Sequence, residues 1–263
     1  MLTASVDTRG MKGAMFSADD REQMYVSTLN YYIDLFSKRS VPISMVFAEN
    51  SGWDLMKMAE NIHKSEFVEI EYLSFNPNDF DQTKGKSYNE LLMMQKAIDS
   101  SKTIQEKGRF IKLTGRFPVM NLDKLLKELY SRGGETLEFF GDCKDHNVYD
   151  RLGMKINGHS GESRFYAMSL KFWNMYFQDC YKKLNDFEGR NIEGYLLGVK
   201  RNTYGQPNVV WRLHTQPHFS GKGGHNIGKG LAFFHSTDND SSIMAFKRGV
   251  RQLCRWTMPW WWC

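Results

Sequence analysis

Short apolar runs alternate with amphipathic stretches along most of the chain. Val68, Ile70 and Tyr72 alternate with glutamates, which is the two-residue period of a half-buried strand. Runs of this kind predict strands over residues 2–6, 43–47, 68–72, 110–113 and 136–140. Helical spacing or capping residues predict helices after Ser17, over 53–63, after the 84–87 loop, after Asn121, over 164–184, from Glu193 and over 241–263.

This order of elements predicts the architecture. Strands that alternate with helices are typical of an α/β fold with a mostly parallel sheet flanked by helices. We expect one domain over residues 1–240, followed by an amphipathic segment over 241–263. Ligands bind such sheets at the carboxyl ends of the strands. The pattern therefore predicts a site built from residues 49–52, 112–116 and 141–145.

Composition narrows the class of protein. The 263 residues are 41% hydrophobic and 25% charged, which excludes disordered, collagen-like and low-complexity chains. No apolar run approaches the roughly 18 residues of a membrane-spanning helix, and the first residues lack a secretory signal, so we expect a cytoplasmic protein. The four cysteines are scattered, without a C-x-x-C pair, and we expect free thiols.

The positive charge is concentrated at the end of the chain. The formal net charge is +5, and residues 241–263 contain four basic residues and no acidic one, which leaves +1 for residues 1–240. A nearly neutral body argues against a nucleic-acid partner.

Basic loops supply the candidates for binding an anion. Lys84, Gly85 and Lys86 precede a predicted helix, where two ammonium groups and a helix N-terminus suit a diphosphate. Lys112 and Arg116 bracket a predicted strand end, and the arginine can contact a phosphate through two nitrogens. Either pair alone is also compatible with an ordinary solvated turn. A glycine-rich stretch at 223–229 departs from the P-loop pattern because Gly230 replaces its serine or threonine.

Four carboxylates are candidates for chemistry. Asp142 and Asp145 follow a predicted strand, Glu162 flanks a serine and an arginine, and Glu193 lies in the first turn of a predicted helix. A carboxylate in that first turn also has a purely structural explanation, because it stabilises a helix N-terminus.

Several motifs occur in an order that resembles one family. These are ENSGWD at 49–54, KGKSYNE at 84–90, FIKLTGR at 110–116 with Asn121 after it, and ESRF at 162–165. The set resembles bacterial glycosyltransferases of GT-A type from capsule and lipopolysaccharide gene clusters, whose motifs read roughly ENSGYD, KGKGYGE, KLTGRY and DSRFF. The resemblance spans about residues 2–230. Two positions depart from it: Glu162 stands where relatives often have aspartate, and Gly194 where they often have histidine.

The resemblance implies a GT-A-like fold and the transfer of a sugar from a nucleotide-sugar donor to a hydroxyl of a surface glycan. It implies that the loop Glu49, Asn50, Ser51 and Gly52 meets the nucleotide. The matched motifs add to the donor site Lys84, Gly85, Lys86, Tyr88, Lys112, Thr114, Gly115, Arg116, Asn121 and Arg164.

GT-A enzymes often hold a divalent metal through an Asp-x-Asp motif, and residues 113–116 contain no carboxylate. We therefore expect no required metal, with Lys112, Arg116 and Lys84 or Lys86 neutralising the leaving diphosphate. The alternative is Mg²⁺ or Mn²⁺ on Asp142 or Asp145.

Transfer with inversion needs a carboxylate to take the proton of the acceptor hydroxyl. By position in the family Glu193 is the first candidate for that catalytic base, and Glu162 is the second.

The segment 241–263 has its own signature. Phe246, Val250 and Leu253 recur at helical spacing, Lys247, Arg248, Arg251 and Arg255 follow a neighbouring stripe, and tryptophans end the chain. This pattern is typical of a helix in a membrane interface, and equally of a terminal helix docked on the body. The first interpretation suits a lipid-linked acceptor and an enzyme peripheral to the inner face of the cytoplasmic membrane.

Two other function classes share these features. A non-catalytic nucleotide- or glycan-binding protein would keep the strand-end loops without needing a base. A sugar nucleotidyltransferase has a similar sheet, but usually requires carboxylates for a metal near the strand ends.

Overall fold

The computed structural model describes residues 1–11, 14–145, 150–153, 158–221 and 242–258. The glycine-rich stretch at 223–229 and the tryptophans at 260–262 lie outside the described residues.

One sheet organises the described residues. Its strands are β1 (Leu2–Ala4), β2 (Ile43–Glu49), β3 (Val68–Ser74), β4 (Arg109–Thr114), β5 (Phe139–Asp145), β6 (His159–Ser169) and β7 (Val209–Val210). They lie in the order β3-β2-β1-β4-β6-β5-β7. Only β6 runs against its neighbours, β4 and β5, and the other pairings are parallel. The predicted α/β class with a mostly parallel sheet is confirmed.

Helices cover both faces of the sheet. They are α1 (Ala18–Ser37), α2 (Leu55–Ala59), α3 (Lys86–Ser100), α4 (Lys102–Lys107), α5 (Leu122–Ser131), α6 (Leu170–Tyr176), α7 (Ile192–Thr203) and α8 (Ser242–Thr257). Helices α1 and α5 pack on one face with Phe47 and Phe165, and α3, α6 and α7 pack on the other with Val46 and Tyr166. Adjacent strand residues therefore point into different cores, as the pleat requires. None of the described helices is long and apolar enough to cross a membrane.

Local sequence explains where several helices begin. Ser17 caps α1, and Asp20 completes a reciprocal capping box, as predicted from the sequence. Helix α2 is much shorter than the predicted 53–63 and begins after Asp54, whose carboxylate accepts from Met56 N and Lys57 N. Asn121 precedes α5 at the predicted position, but its side chain does not cap the helix.

The predicted aromatic helix over 164–184 is wrong at both ends, because only Leu170–Tyr176 is α-helical and Cys180–Lys183 forms a separate 3-10 turn. Residues up to Ser169 belong to β6, which pairs with β4 on one side and β5 on the other, and only then does α6 begin. A strand buried on both faces is a continuous apolar run, so its sequence shows no alternation that separates it from a buried helix.

The parallel strands bring the predicted loops together. Because β4 and β5 both run against β6, their carboxyl ends lie at the same edge as those of β1 and β2. The amino end of β6 reaches that edge too, since Asp145 is in register with His159.

Candidate functional site

A cavity of about 80 Å³ lies at this edge, where β1 and β4 end. It is open to solvent and small, so it fits a fragment of a larger ligand rather than a whole nucleotide sugar. Its polar lining includes Thr3, Ser5, Arg21, Asn50, Lys86, Asn89, Glu90, Thr114 and Arg116. Four of these, Asn50, Lys86, Thr114 and Arg116, belong to the predicted donor site.

Glu90 is held at the cavity by a buried ion pair. Lys112 Nζ lies 2.6 Å from Glu90 Oε1, and Thr3 Oγ1 donates to the same oxygen over 3.1 Å. Burial alone would raise the pKa of Glu90, but the charge and hydrogen bond of Lys112, with the charge of Lys86, hold that pKa below its usual value. Glu90 is therefore an anion at neutral pH, with Oε1 engaged and Oε2 left over.

The contacts of Lys112 favour a structural role over the predicted contact with a diphosphate. Its side chain is fully buried, and its ammonium also donates to Ser163 O over 2.6 Å and to Thr114 Oγ1 over 2.9 Å. Three such partners use all three N–H groups of an ammonium. As placed here, Lys112 positions the site and does not reach a leaving diphosphate.

Arg116 follows β4 and lines the cavity. Its guanidinium lies over the ring of Phe117 at 5.2 Å, and its buried Nη1 has no hydrogen-bond partner among the described residues. Arg21 lies close enough that the charge of Arg116 contributes to lowering its pKa, after the larger effect of burial. Three cationic side chains, those of Arg21, Lys86 and Arg116, therefore line the cavity against the one carboxylate of Glu90. That balance favours an anionic ligand.

The 84–87 turn differs from its prediction. Gly85 has φ +86°, and a Cβ there would lie 2.7 Å from the side chain of Asp186. Asp186 Oδ2 accepts from Ser87 N over 2.9 Å, so a carboxylate of the chain itself occupies the N-terminus of α3. The backbone at that helix end is therefore already paired, whereas the exposed Lys86 lies at the cavity rim, and the diphosphate contact of this loop stays a prediction. Lys84 lies in the preceding turn and does not line the cavity.

The loop 49–52 is organised around a buried carboxylate. Glu49 is fully buried and accepts from the backbone N–H groups of Val6, Ser51 and Trp53 and from the Ser51 hydroxyl. Glu49 and the Ser51 hydroxyl are thus engaged within the loop, and their contact with a nucleotide stays a prediction. Gly52 has φ +71° and would clash with Pro77 if it carried a Cβ, so its role is to make the turn.

Three other predicted donor residues have structural roles. Gly115 lets β4 approach β1, because a Cβ there would lie 2.8 Å from Thr3 O. Tyr88 packs edge-on against Tyr181. Asn121 donates to Gln216 O and accepts from His218 N, and so holds the 216–218 segment.

The two candidate bases differ in their partners. Glu162 accepts from Arg164 Nε over 2.7 Å and Nη2 over 2.6 Å, and that guanidinium also lies 4.0 Å from the ring centroid of Phe219. Burial alone would raise the pKa of Glu162, but Arg164 outweighs it and holds the pKa below its usual value. Glu193 lies in the first turn of α7 and accepts from Ser163 Oγ over 2.9 Å. Glu162 is thus paired with a cation and Glu193 with a serine hydroxyl, and Glu193 stays the first candidate for the base, with Glu162 the second.

Glu193 is connected to the cavity through β6. Ser163 donates to Glu193 through its hydroxyl and accepts from Lys112 through its carbonyl, and Lys112 pairs with Glu90. One strand residue thus links the candidate base to Lys112, whose partner Glu90 lines the cavity.

Asp142 and Asp145 do not fit the metal alternative. Arg255 pairs with both oxygens of Asp142, over 2.7 and 3.0 Å. Asp145 pairs with Lys200 over 2.7 Å, His159 over 2.8 Å and Arg201 over 3.3 Å. Burial would raise the pKa of Asp145, but hydrogen bonds from Lys200, His159 and Arg201, with the charge of Lys200, hold that pKa well below its usual range. Both carboxylates are therefore paired with basic side chains, and the described residues contain no cluster of three or more metal-ligating side chains.

Three residues that line the cavity, Asn89, Glu90 and Arg21, were not predicted from the sequence. Asn89 and Glu90 are the last two residues of the KGKSYNE motif, and that motif could have pointed to them. A second signal is that Glu90 lies next to leucines on the buried face of α3. Arg21 lies in the polar first turns of α1, and nothing in the sequence around it points to a site.

Helix α8 is docked on the body through its polar side chains. Arg255 is buried and also donates to Leu213 O over 2.7 Å, while Gln252 contacts the backbone of His214 and Gln216. These contacts support the interpretation that the helix is docked on the body. Because Arg255 is buried in them, it does not belong to the predicted basic stripe that would face lipid. The apolar stripe is nevertheless exposed, at Phe246, Val250, Leu253 and Trp256.

Comparison with known proteins gives distant structural matches. No protein-family model and no curated protein matches the sequence. The chain is similar to the apo structure of the bifunctional glycosyltransferase WbbM, with 9% identity and a TM-score of 0.43, over 80% of this chain and 37% of that chain. It is similar to the galactosyltransferase LgtC, solved with donor and acceptor sugar analogues, with 12% identity and a TM-score of 0.43, over 80% of this chain and 72% of that chain. This chain spans little more than a third of WbbM, and likenesses this distant assign no activity.

Proposed function

We propose that this chain is a glycosyltransferase with a GT-A-like fold, which moves a sugar from a nucleotide-sugar donor to a hydroxyl of a glycan. The observation that carries the proposal is the cavity at the carboxyl ends of β1 and β4, where Arg116 leaves a buried guanidinium N–H without a partner among the described residues. A buried donor left unpaired is costly unless a ligand completes it. With Arg21 and Lys86 beside it, the matching ligand group is a phosphate or diphosphate.

In the proposed reaction, two groups of residues at the carboxyl edge of the sheet have separate roles. Arg116 and Lys86 bind the diphosphate and stabilise the charge that develops when the bond between sugar and phosphate breaks. Glu193 takes the proton of the acceptor hydroxyl as its oxygen forms the new bond to the sugar. The products are a glycosylated acceptor, a protonated Glu193 and a nucleoside diphosphate. No step in this scheme uses Asp142 or Asp145.

The acceptor belongs to the proposal as well. The ordered motifs resemble those of capsule and lipopolysaccharide enzymes, which supports a surface glycan, carried on a lipid in its growing form. The exposed apolar stripe of α8 supports contact with a membrane surface at the cytoplasmic face.

A thermal-shift screen of nucleotide sugars, with and without Mg²⁺ or Mn²⁺, tests the proposal. A donor at one hundred times its Kd stabilises the folded state by about 2.7 kcal/mol, which raises the melting temperature measurably. We expect stabilisation by at least one donor, followed by release of nucleoside diphosphate when glycan acceptors are added. Stabilisation without release, with any acceptor, would favour a non-catalytic binding protein. Release of pyrophosphate from a nucleoside triphosphate and a sugar phosphate would favour a nucleotidyltransferase.

A further inference from the structure

A bulge interrupts β6 at the carboxyl edge of the sheet. Gly141 of β5 is in register with Tyr166, but two residues further along β5, Cys143 is already in register with Gly161. A single residue of β5 therefore lies opposite the four residues 162–165 of β6. On the other side of β6, the pairing with β4 ends at residue 165. Bulges turn side chains out of the regular alternation of a strand, and they are common beside active sites.

Ser163 lies inside this bulge and is held at two points. Its carbonyl accepts from Lys112 Nζ over 2.6 Å, and its hydroxyl donates to Glu193 Oε1 over 2.9 Å. Ser163 is 5% exposed, so both contacts are shielded from water. The buried ammonium of Lys112 anchors the backbone of the bulge, and the hydroxyl therefore has a fixed direction toward α7.

The hydrogen bond from Ser163 distinguishes the two oxygens of Glu193. Glu193 lies in the first turn of α7 and is half-buried, and its carboxylate has no second hydrogen-bond partner among the described residues. A glutamate side chain rotates about several single bonds, so a bond to one oxygen selects one orientation for the other. Oε1 is engaged by the serine, and Oε2 is the oxygen left to accept a proton.

We propose that Ser163 is a positioning residue for sugar transfer, which holds Glu193 through Oε1 so that Oε2 meets the acceptor hydroxyl. This inference rests on the proposed function and adds the group that orients its base. In the transfer step the hydroxyl proton passes to Oε2, the acceptor oxygen bonds to the sugar carbon, and the bond from that carbon to the diphosphate breaks. The nucleoside diphosphate leaves with that electron pair, and Ser163 keeps its own proton.

Ser163→Ala in the full-length protein tests the proposal. UDP-glucose, UDP-galactose and GDP-mannose are the donors, p-nitrophenyl glycosides are the acceptors, and release of nucleoside diphosphate gives the rate. Misplacing a reacting group by about 1 Å lowers a rate by up to about a hundredfold. We expect kcat to fall about tenfold or more, while the Kd for the donor, measured by calorimetry, stays within about twofold of the wild-type value.

Two further variants separate positioning from a loss of packing. Ser163→Thr keeps the hydroxyl on a residue type that suits a strand, so kcat should return to within about threefold of wild type. The double variant of Ser163→Ala with Glu193→Gln should be no slower than Glu193→Gln alone, because Ser163 acts through that carboxylate.

Ser169→Ala is the matched control. Ser169 is also a buried serine of β6 whose hydroxyl donates to a glutamate, Glu138, but it lies at the other end of the strand, in register with Arg109. Its hydroxyl also accepts from Phe172 N at the start of α6. Ser169→Ala should therefore lower the melting temperature and leave kcat unchanged.

The possible failures are distinguishable. A folded Ser163→Ala variant with the wild-type kcat would overturn the proposal. So would a double variant that is slower than Glu193→Gln by the full factor that separates Ser163→Ala from wild type. If Ser163→Ala does not fold, Ser163→Cys replaces it with the same expectation, because a thiol keeps the volume and is a weak donor. Absence of nucleoside diphosphate release by wild type with every donor and acceptor would instead overturn the proposed function.

Discussion

The ammonium group of Lys112 lies 2.6 Å from Oε1 of Glu90, and neither side chain is more than 8% exposed. A buried charge pair depends on both partners, because removing one leaves the other unpaired in a low-dielectric surrounding. The pair joins the end of β4 to α3 and fixes one wall of the cavity.

Lys112→Met should therefore destabilise the fold by about 3–5 kcal/mol. Urea denaturation followed by circular dichroism measures the change. The double variant Lys112→Met with Glu90→Gln should recover part of that loss, because no unpaired charge remains. Lys171→Met is the control: Lys171 pairs with Glu138 but is largely exposed, so its loss should change stability little. A Lys112→Met protein as stable as wild type would contradict this assignment.

Glu193→Gln should bind the donor with an unchanged Kd and lose transfer by about a hundredfold or more, because only proton abstraction is removed. Calorimetry gives the Kd, and nucleoside diphosphate release with acceptor gives the rate. Glu162→Gln is a comparison variant that keeps Glu193 and loses the charge pair with Arg164. If Glu193→Gln transfers at the wild-type rate, the base lies elsewhere, and Glu162 is the next residue to test.

His159 should make stability depend on pH. The hydrogen bond between His159 and Asp145 raises the pKa of the histidine. Burial lowers that pKa by a smaller amount, and the hydrogen bond to Asp150 raises it further. A histidine whose pKa is raised on folding stabilises the protein at pH values below the unfolded pKa of about 6.5. That contribution is lost as pH rises through the folded pKa. The free energy of unfolding should fall over this range in wild type but not in His159→Gln, and parallel curves for the two proteins would contradict the prediction.

Asp145 acts in the opposite sense. The pKa of Asp145 is lowered in the folded protein. Its contribution to the free energy of unfolding is therefore present at pH values above the unfolded pKa of about 3.9 and is lost at more acidic pH. The window in which both groups contribute most therefore lies between about pH 4 and pH 6.5.

The exposed stripe of α8 should bind membranes. We expect full-length protein to sediment with anionic liposomes, with a salt-resistant part contributed by apolar side chains. Leu253→Ser with Trp256→Ser should abolish that part, since both side chains are exposed. Arg255→Ala is the contrasting variant: it breaks the buried pair with Asp142 and should lower the melting temperature. Wild-type protein that does not sediment with liposomes at any salt concentration would contradict membrane binding.

The sequence predicted features that depend on local chemistry. Ser17 and Asp20 are three residues apart and specify the start of α1, and alternation over Val68–Ser74 specifies a strand. Arg116 was predicted to lie at a strand end, where ligands bind mostly parallel sheets, and it lines the cavity there; its contact with a donor stays a prediction.

Long-range pairing explains what could not be predicted. Lys112 and Arg116 look equivalent in sequence, but the alternation of β4 turns Lys112 inward to Glu90. The N-terminus of α3 looked open because Asp186, which fills it, lies 99 residues further along the chain than Ser87. Asp142 was a candidate metal ligand for the same reason: its partner Arg255 lies 113 residues further along the chain, and the sequence does not show that the two side chains pair.

The central claim is that the cavity between β1 and β4 binds the diphosphate of the donor, and titration calorimetry of nucleotide sugars against wild type and Arg116→Ala tests it most directly. We expect wild type to bind at least one donor and Arg116→Ala to bind it about tenfold more weakly or worse, with the fold intact by circular dichroism. Arg39→Ala, which removes a surface arginine paired with Asp123, should bind as wild type does. A folded Arg116→Ala protein with the wild-type Kd would contradict the account.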